Sequence, residues 1–224
     1  MNPRPRLHAL TEELLAFALA ATCAGCDEPG TVLCPDCRRR LRPDRVLLRT
    51  PAGLRVRALL PFEGVAARCI RRLKGDGETL LARPLGEALA ATFPNDLSAP
   101  ALVVPVPTSR AAFRRRGYRV PDLLIRRAGR APSPLLRAVG RRADQRGLGV
   151  AQRADNVRGS MRARRRGDGA SVVLVDDVVT SGATLDEAAR ALRAAGFDVL
   201  SAVALAATPK HSELTANSAK TRSN

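Results

Sequence analysis

Residues 171 to 207 read SVVLVDDVVTSGATLDEAARALRAAGFDVLSAVALAA, and this stretch constrains the fold more than any other. Val172, Val173, Leu174 and Val175 form an unbroken apolar run, the pattern of a strand covered on both faces. TLDEAARALRAAG then places apolar residues at helical spacing before a glycine stop, and DVLSAVALAA is a second apolar run. Strand, loop, helix and strand in that order build a β-loop-α-β unit. The expected class is therefore α/β with a parallel sheet. Ligands of such sheets bind beyond the carboxyl ends of the strands, which is where Asp176 and Asp177 fall.

The rest of the chain extends this alternation. RVRALLPF (55–62) has strand character, and GVAARCIRRLKGDGE reads as an amphipathic helix ending near Gly75. ETLLARPLGEALAATF is helical with a kink or break expected at Pro84. ALVVPVP is a strand, TSRAAFRRRGY an arginine-laden loop, and VPDLLIRRAG a helix with Pro121 in its first turn. Pro43 and Pro51 bracket an irregular connection, and 141–170 has no clear period apart from a short strand at VRGSM. The expected organisation is an N-terminal helix (7–21) and cysteine module over 1–50, one α/β domain over 51–208, and a polar, disordered tail over 209–224.

Four of the five cysteines, Cys23, Cys26, Cys34 and Cys37, read C-x2-C-x7-C-x2-C. Each C-x2-C pair can wrap a tight turn so that two thiolates converge on one ion, and two pairs complete a tetrahedron of soft ligands. Zn2+ is the natural occupant, and with every position filled by protein its role is structural. The alternatives are two disulfides or four reduced thiols. Disulfides are disfavoured in a reducing compartment. Cys69, alone, sits with Val65, Ile70 and Leu73 at helical spacing and reads as a small core residue.

Charge and composition narrow the function. The formal charge is +17, which usually points to nucleic acid or an anionic surface. All but three of the 38 basic residues (Lys74, Lys210 and Lys220) are arginine in an alanine-rich chain, a bias that reads as compositional background. Most of these arginines are therefore expected to be solvated. Aromatic residues make up 3%, with no Trp and only Tyr118 as tyrosine, so base-stacking platforms are excluded. LLAFALAATC is not read as an export signal, because Glu12 and Glu13 precede it and only Arg4 and Arg6 flank it. No run reaches the roughly 18 apolar residues of a membrane span, and the expected location is cytoplasmic.

Asp176 and Asp177 must face solvent, a metal or hydroxyl donors, because an unpaired buried carboxylate is costly. Two neighbouring carboxylates suit the two hydroxyls of a ribose ring. Thr180, Ser181, Gly182, Ala183 and Thr184 lack bulk and open a helix, whose first N–H groups make a nest for a terminal phosphate. The pair and the nest together describe a ribose-5-phosphate clamp. A Walker loop would need a lysine that this loop lacks, and a dinucleotide fingerprint would need three spaced glycines where only Gly182 is present.

VVLVDDVVTSGAT resembles the phosphoribosyl-pyrophosphate (PRPP) motif of type I phosphoribosyltransferases. The wider chain is similar to one branch, the ComF family of competence-associated proteins, in the four-cysteine knuckle and in CIRRLKGDGE (69–78), VVPVPTSRAAFRRRGY (103–118) and DQRGLGVAQRADNVRGSM (144–161). The resemblance implies a type I phosphoribosyltransferase fold, a Rossmann-like parallel-sheet core with a small N-terminal zinc module. It implies PRPP bound with Mg2+, its 5-phosphate on residues 180–184 and its ribose hydroxyls on Asp176 and Asp177 as catalytic residues. Ser109, Arg110 and Arg116 occupy the place of the family's pyrophosphate loop, and Arg153 and Asn156 that of a mobile flap. The family usually continues its Arg-Gly-aromatic step with Asn-Gln, where this chain has Arg119 and Val120. The acceptor and the catalytic step are thereby left open. Two functions follow from the resemblance. One is phosphoribosyl transfer to an unidentified acceptor. The other is a non-catalytic, PRPP-sensing adaptor of DNA uptake whose Arg162, Arg164, Arg165 and Arg166 contact single-stranded DNA or a competence helicase or DNA-processing partner. Nothing in the sequence sets the oligomeric state.

Overall fold

The computed structural model describes residues 21–42, 46–93, 101–139 and 157–208. The helix expected over 7–21 falls almost wholly outside the described residues, as do the tail from Pro209 and the flap candidates Arg153 and Asn156.

A five-stranded sheet carries the domain, in the order β1 (Val46–Arg49), β2 (Arg55–Pro61), β7 (Asp198–Ala207), β6 (Ser171–Val179), β3 (Leu102–Pro105). β2, β7, β6 and β3 run parallel, and β1 turns back antiparallel on the outer edge of β2. β1 lies in the connection read from sequence as irregular. Its single buried residue, Leu48, and four-residue length leave almost no period to detect. A separate hairpin, β4 (Leu136–Ala138) with β5 (Met161–Ala163), packs against the sheet's second layer.

Helices cover both faces, as the apolar runs of β6 and β7 require. On one face lie α2 (Gly64–Gly75), α3 (Ala82–Ala90) and α5 (Val120–Arg127), whose Ile70, Leu73, Leu85, Leu89, Leu124 and Ile125 meet Val173, Val175, Val203 and Leu205. On the other, α6 (Ala183–Arg193) and the hairpin bury Leu185, Leu192, Leu136 and Met161 against Val172, Leu174, Ala202 and Ala204. Each fully buried Leu or Ile contributes about 1.5–3 kcal/mol by leaving water, so these two layers carry the fold. Pro84 causes no kink. The chain makes a 3-10 turn at Thr79–Leu81, and Pro84 then sits in the first turn of α3, where a missing N–H costs nothing. α4 (Arg110–Arg116) is an exposed helix with no buried residue, standing where a loop was expected.

The sheet opens at its carboxyl end. β3 stops pairing with β6 at Pro105↔Val175, closed by a last hydrogen bond from the Val106 N–H to the Val175 carbonyl (2.9 Å), while β6 continues along β7 to Val179↔Ala207. The aspartates therefore stand within the strand, on a part of it that β3 no longer covers.

Candidate functional site

The cysteine knuckle is built by its own backbone. Thr22–Gly30 folds back on itself, and Cys34 caps α1 (Pro35–Arg39) by accepting from the Cys37 N–H at 3.4 Å. Cys23 Sγ accepts from the N–H groups of Gly25 (3.4 Å) and Cys34 (3.3 Å). All four sulfurs lie within 4.8 Å of one another, with Cys26 and Cys34 at 3.7 Å, and none is in a disulfide. Sulfurs sharing a tetrahedral Zn2+ at 2.3 Å stand about 3.8 Å apart, so the donor set fits that ion. The thiols of the knuckle shift in opposite directions. Burial would raise the Cys23 thiol, but the N–H groups of Cys34, Gly25 and Cys26 outweigh it and bring Cys23 down to about 6. Cys37 is driven up, first by burial and then by its sulfur neighbours. Thiolates gathered this closely need a positive charge between them. Gly25 is required by closeness: a Cβ there would lie 2.5 Å from Cys37 Sγ and 2.9 Å from Val65 of α2. The knuckle and α2 thus share one core, reinforced by Arg68 donating to the Gly25 carbonyl (2.9 Å) and by the Arg72–Asp27 ion pair. Cys69 is wholly buried in that core, and burial pushes its thiol up to about 11.

At the open end of the sheet the two aspartates diverge. Asp176 stands opposite Ala204, whose side chain belongs to the α6 side. Asp177 reaches the α2 side, where Lys74 Nζ donates to its Oδ1 at 2.7 Å. The Asp177 N–H in turn donates to Asp176 Oδ1 at 2.8 Å. Burial, and then the Asp177 carboxylate, push Asp176 up to about 7 against the pull of Lys74. A carboxyl poised in this way is a strong hydrogen-bond acceptor looking for a donor.

The loop that follows ends at Gly182, the residue before α6, in the left-handed conformation (φ +78°). A side chain there would be strained in backbone and would press to 3.0 Å from Thr50. Ser181 Oγ accepts weakly from the Ala183 N–H (3.4 Å), and Thr180 is exposed. The next N–H groups are those an α-helix leaves unpaired at its positive end. Asp186, in the same first turn, accepts from Thr50 Oγ1 and from the Ala52 N–H (3.1 Å), locking the β1–β2 turn to the helix start.

The remaining sequence candidates spread out. Ser109 is the N-cap of α4, its Oγ accepting from the Ala112 N–H at 3.2 Å. Arg110 is exposed on α4. Arg116 turns to the end of α2, donating to the Lys74 carbonyl at 3.1 Å, and Tyr118 Oη donates to the Leu73 carbonyl. Arg119 lies over the Phe113 ring (4.4 Å), and Val120 is buried at the start of α5. Of the arginines read as DNA contacts, Arg164 donates to the Leu136 carbonyl (3.2 Å) and Arg165 lies over Phe197 (5.4 Å). The sequence leaves Lys74 open, either facing the site or marking a helix end where a cation complements the dipole, and it does not point to Thr50 or Asp186. Lys74 carried one signal: it is the only lysine before the tail in an arginine-rich chain.

Parallel strands in this order, with paired acids ahead of a glycine-capped helix, define the type I phosphoribosyltransferase fold. Residues 112–222 match the family model described as phosphoribosyl transferase domain. Among solved structures the chain is similar to Leishmania donovani UMP synthase (18% identity, TM-score 0.40, covering 67% of this chain and 27% of that one). It is similar also to orotate phosphoribosyltransferase from Aeropyrum pernix (19%, 0.35, 81% and 85%) and to adenine phosphoribosyltransferase from Rhodothermus marinus (19%, 0.37, 89% and 87%). The chain thus spans about a quarter of the length of the UMP synthase. No curated protein matches it. No helix among the described residues is long and apolar enough to cross a membrane.

Proposed function

We propose that this protein binds PRPP and transfers its phosphoribosyl group to an acceptor, releasing pyrophosphate. The observation that carries the reading is the Asp176–Asp177 pair on the uncovered end of β6, three residues ahead of a helix start made of small and hydroxylated residues. In this reading Asp176 and Asp177 accept from the ribose 2- and 3-hydroxyls. Thr180–Thr184 receive the 5-phosphate, with backbone N–H groups and the Thr180, Ser181 and Thr184 hydroxyls as donors. Mg2+, carried on the pyrophosphate of PRPP, supplies charge that stabilises the leaving group. The chain's own share of catalysis is orientation: a sugar clamped at both ends presents C1 to the acceptor while the bond to pyrophosphate breaks. Ser109, Arg110 and Arg116 stay the pyrophosphate-loop candidates, with Arg153 and Asn156 as flap residues.

Calorimetry with Mg2+ and PRPP tests this directly. Binding is expected in the parent, and Asp176→Asn with Asp177→Asn together should weaken it about 100-fold or more while circular dichroism stays unchanged. A parent that shows no heat of binding sinks the reading. Pyrophosphate release on screening nucleobases identifies the acceptor class.

A second reading is an adaptor that binds single-stranded DNA. A groove of about 630 Å3 at the carboxyl end of α6 is lined by Arg158 and Arg162 over alanines, with Arg190 there ion-paired to Glu187 at 2.7 Å, at the far end of the helix from the phosphate nest. Single-stranded DNA affinity that falls steeply with salt and ignores PRPP would support it.

A further inference from the structure

We infer that Arg116 and Tyr118 are positioning residues for the sugar site, acting through Lys74, which holds Asp177 from outside the loop motif; the inference rests on the PRPP reading above. An α-helix leaves its last carbonyls unpaired. At the end of α2 the Arg72 carbonyl accepts from the Asp76 N–H (3.0 Å), and the next two are taken by side chains from the last residue of α4 and the connection after it. Tyr118 Oη donates to Leu73, and Arg116 Nη1 to Lys74 at 3.1 Å. These bonds fix where the helix ends and hence where the Lys74 side chain starts.

From that start Lys74 Nζ reaches Asp177 Oδ1 at 2.7 Å, with Lys74 33% exposed and Asp177 14%. The contact has two effects. It offsets the repulsion between adjacent carboxylates, and it ties down one oxygen of Asp177 while leaving Oδ2 for a sugar hydroxyl. A compact ammonium can do this on one oxygen, whereas a guanidinium would fork across both and compete with the sugar. That accounts for a lysine here when every other basic residue before the tail is arginine. Arg116 shows the cost of the arrangement: its Nε is buried and has no hydrogen-bond partner among the described residues. An arginine merely decorating the surface would not be held so.

The test is a double-mutant cycle on the full chain, read by calorimetry with two probes, Mg2+-PRPP and ribose 5-phosphate. Parent binding of PRPP tests the sugar-site reading alone; the cycle tests the relay. Lys74→Ala should weaken both probes by a similar factor of about 10, because Asp177 works at the ribose. Arg116→Ala should cost about 3- to 10-fold in the parent background and almost nothing in the Lys74→Ala background. Tyr118→Phe removes a single hydroxyl and should show the same coupling with a smaller loss, which keeps the test open if Arg116→Ala fails to fold. Lys74→Arg should not restore affinity. Equal losses from Arg116→Ala in both backgrounds would mean that Arg116 touches ligand directly or acts only on stability, and the relay is wrong. A Lys74→Ala loss confined to PRPP would place Lys74 on the pyrophosphate and overturn the link to Asp177.

Discussion

The cysteine knuckle and the proposed sugar-phosphate clamp both gather polar groups, yet they are held in opposite ways. The knuckle's four ligands span fifteen residues, and its sulfurs accept from the N–H groups of their own loop. The clamp's groups come from across the chain: Lys74 lies 103 residues from Asp177, and Thr50 lies 136 from Asp186. The knuckle's sulfurs are gathered locally, and Arg68 and Arg72 tie their loop to α2. A dispersed site is only as good as the packing of the elements that bring it together.

That contrast can be broken in a graded series. The largest effect should follow removal of the metal. Strong chelation, or Cys34→Ser, leaves crowded thiols in a core shared with α2, and a loss of about 3 kcal/mol or more is expected, a fall in Tm of about 10 °C in a thermal melt. A knuckle that unfolds without moving the main transition would show the two regions to be independent. Gly182→Ala comes next. A φ of +78° with Thr50 at 3.0 Å should cost about 1–3 kcal/mol and weaken PRPP by displacing the helix start, with chelator sensitivity unchanged. The third test is electrostatic. Asp176 takes up its proton at about 7 when folded and near 3.8 otherwise, so between these values the folded chain binds more protons than the unfolded one. Its contribution to stability should therefore fall as pH rises from about 4 to 7. Asp176→Asn should flatten that slope, and denaturant titrations at pH 4.5 and 7.5 measure it.

What could be read beforehand follows the same division. The knuckle and the β6–α6–β7 unit were legible because their signals are local: ligand spacing, an apolar run, helical period, a glycine where the chain must turn left-handed. β1 and β4 were not, since strands of three or four residues with one buried side chain leave no period to count, and the strand read at VRGSM (157–161) meets β5 only at Met161. The strand of the aspartates runs on to Val179 instead of ending before them, because pairing with β7 is a tertiary fact. Ser109 caps α4 and Arg116 caps α2, contacts that residue type alone does not announce. The same holds for the arginine excess. Each of the four phenylalanines among the described residues, Phe62, Phe93, Phe113 and Phe197, has an arginine over its ring, a packing role that no charge count reveals.

The helix α2 has one flank against the knuckle and its last turn beside the sugar site. It is a lever with a fulcrum at one attachment and a working tip at the other. Linkage then imposes a symmetry on the molecule. Whatever free energy a bound metal gives to PRPP by steadying that lever, bound PRPP must return to the metal in equal measure. The ease with which a chelator strips the knuckle becomes a gauge of occupancy at the opposite end of the helix.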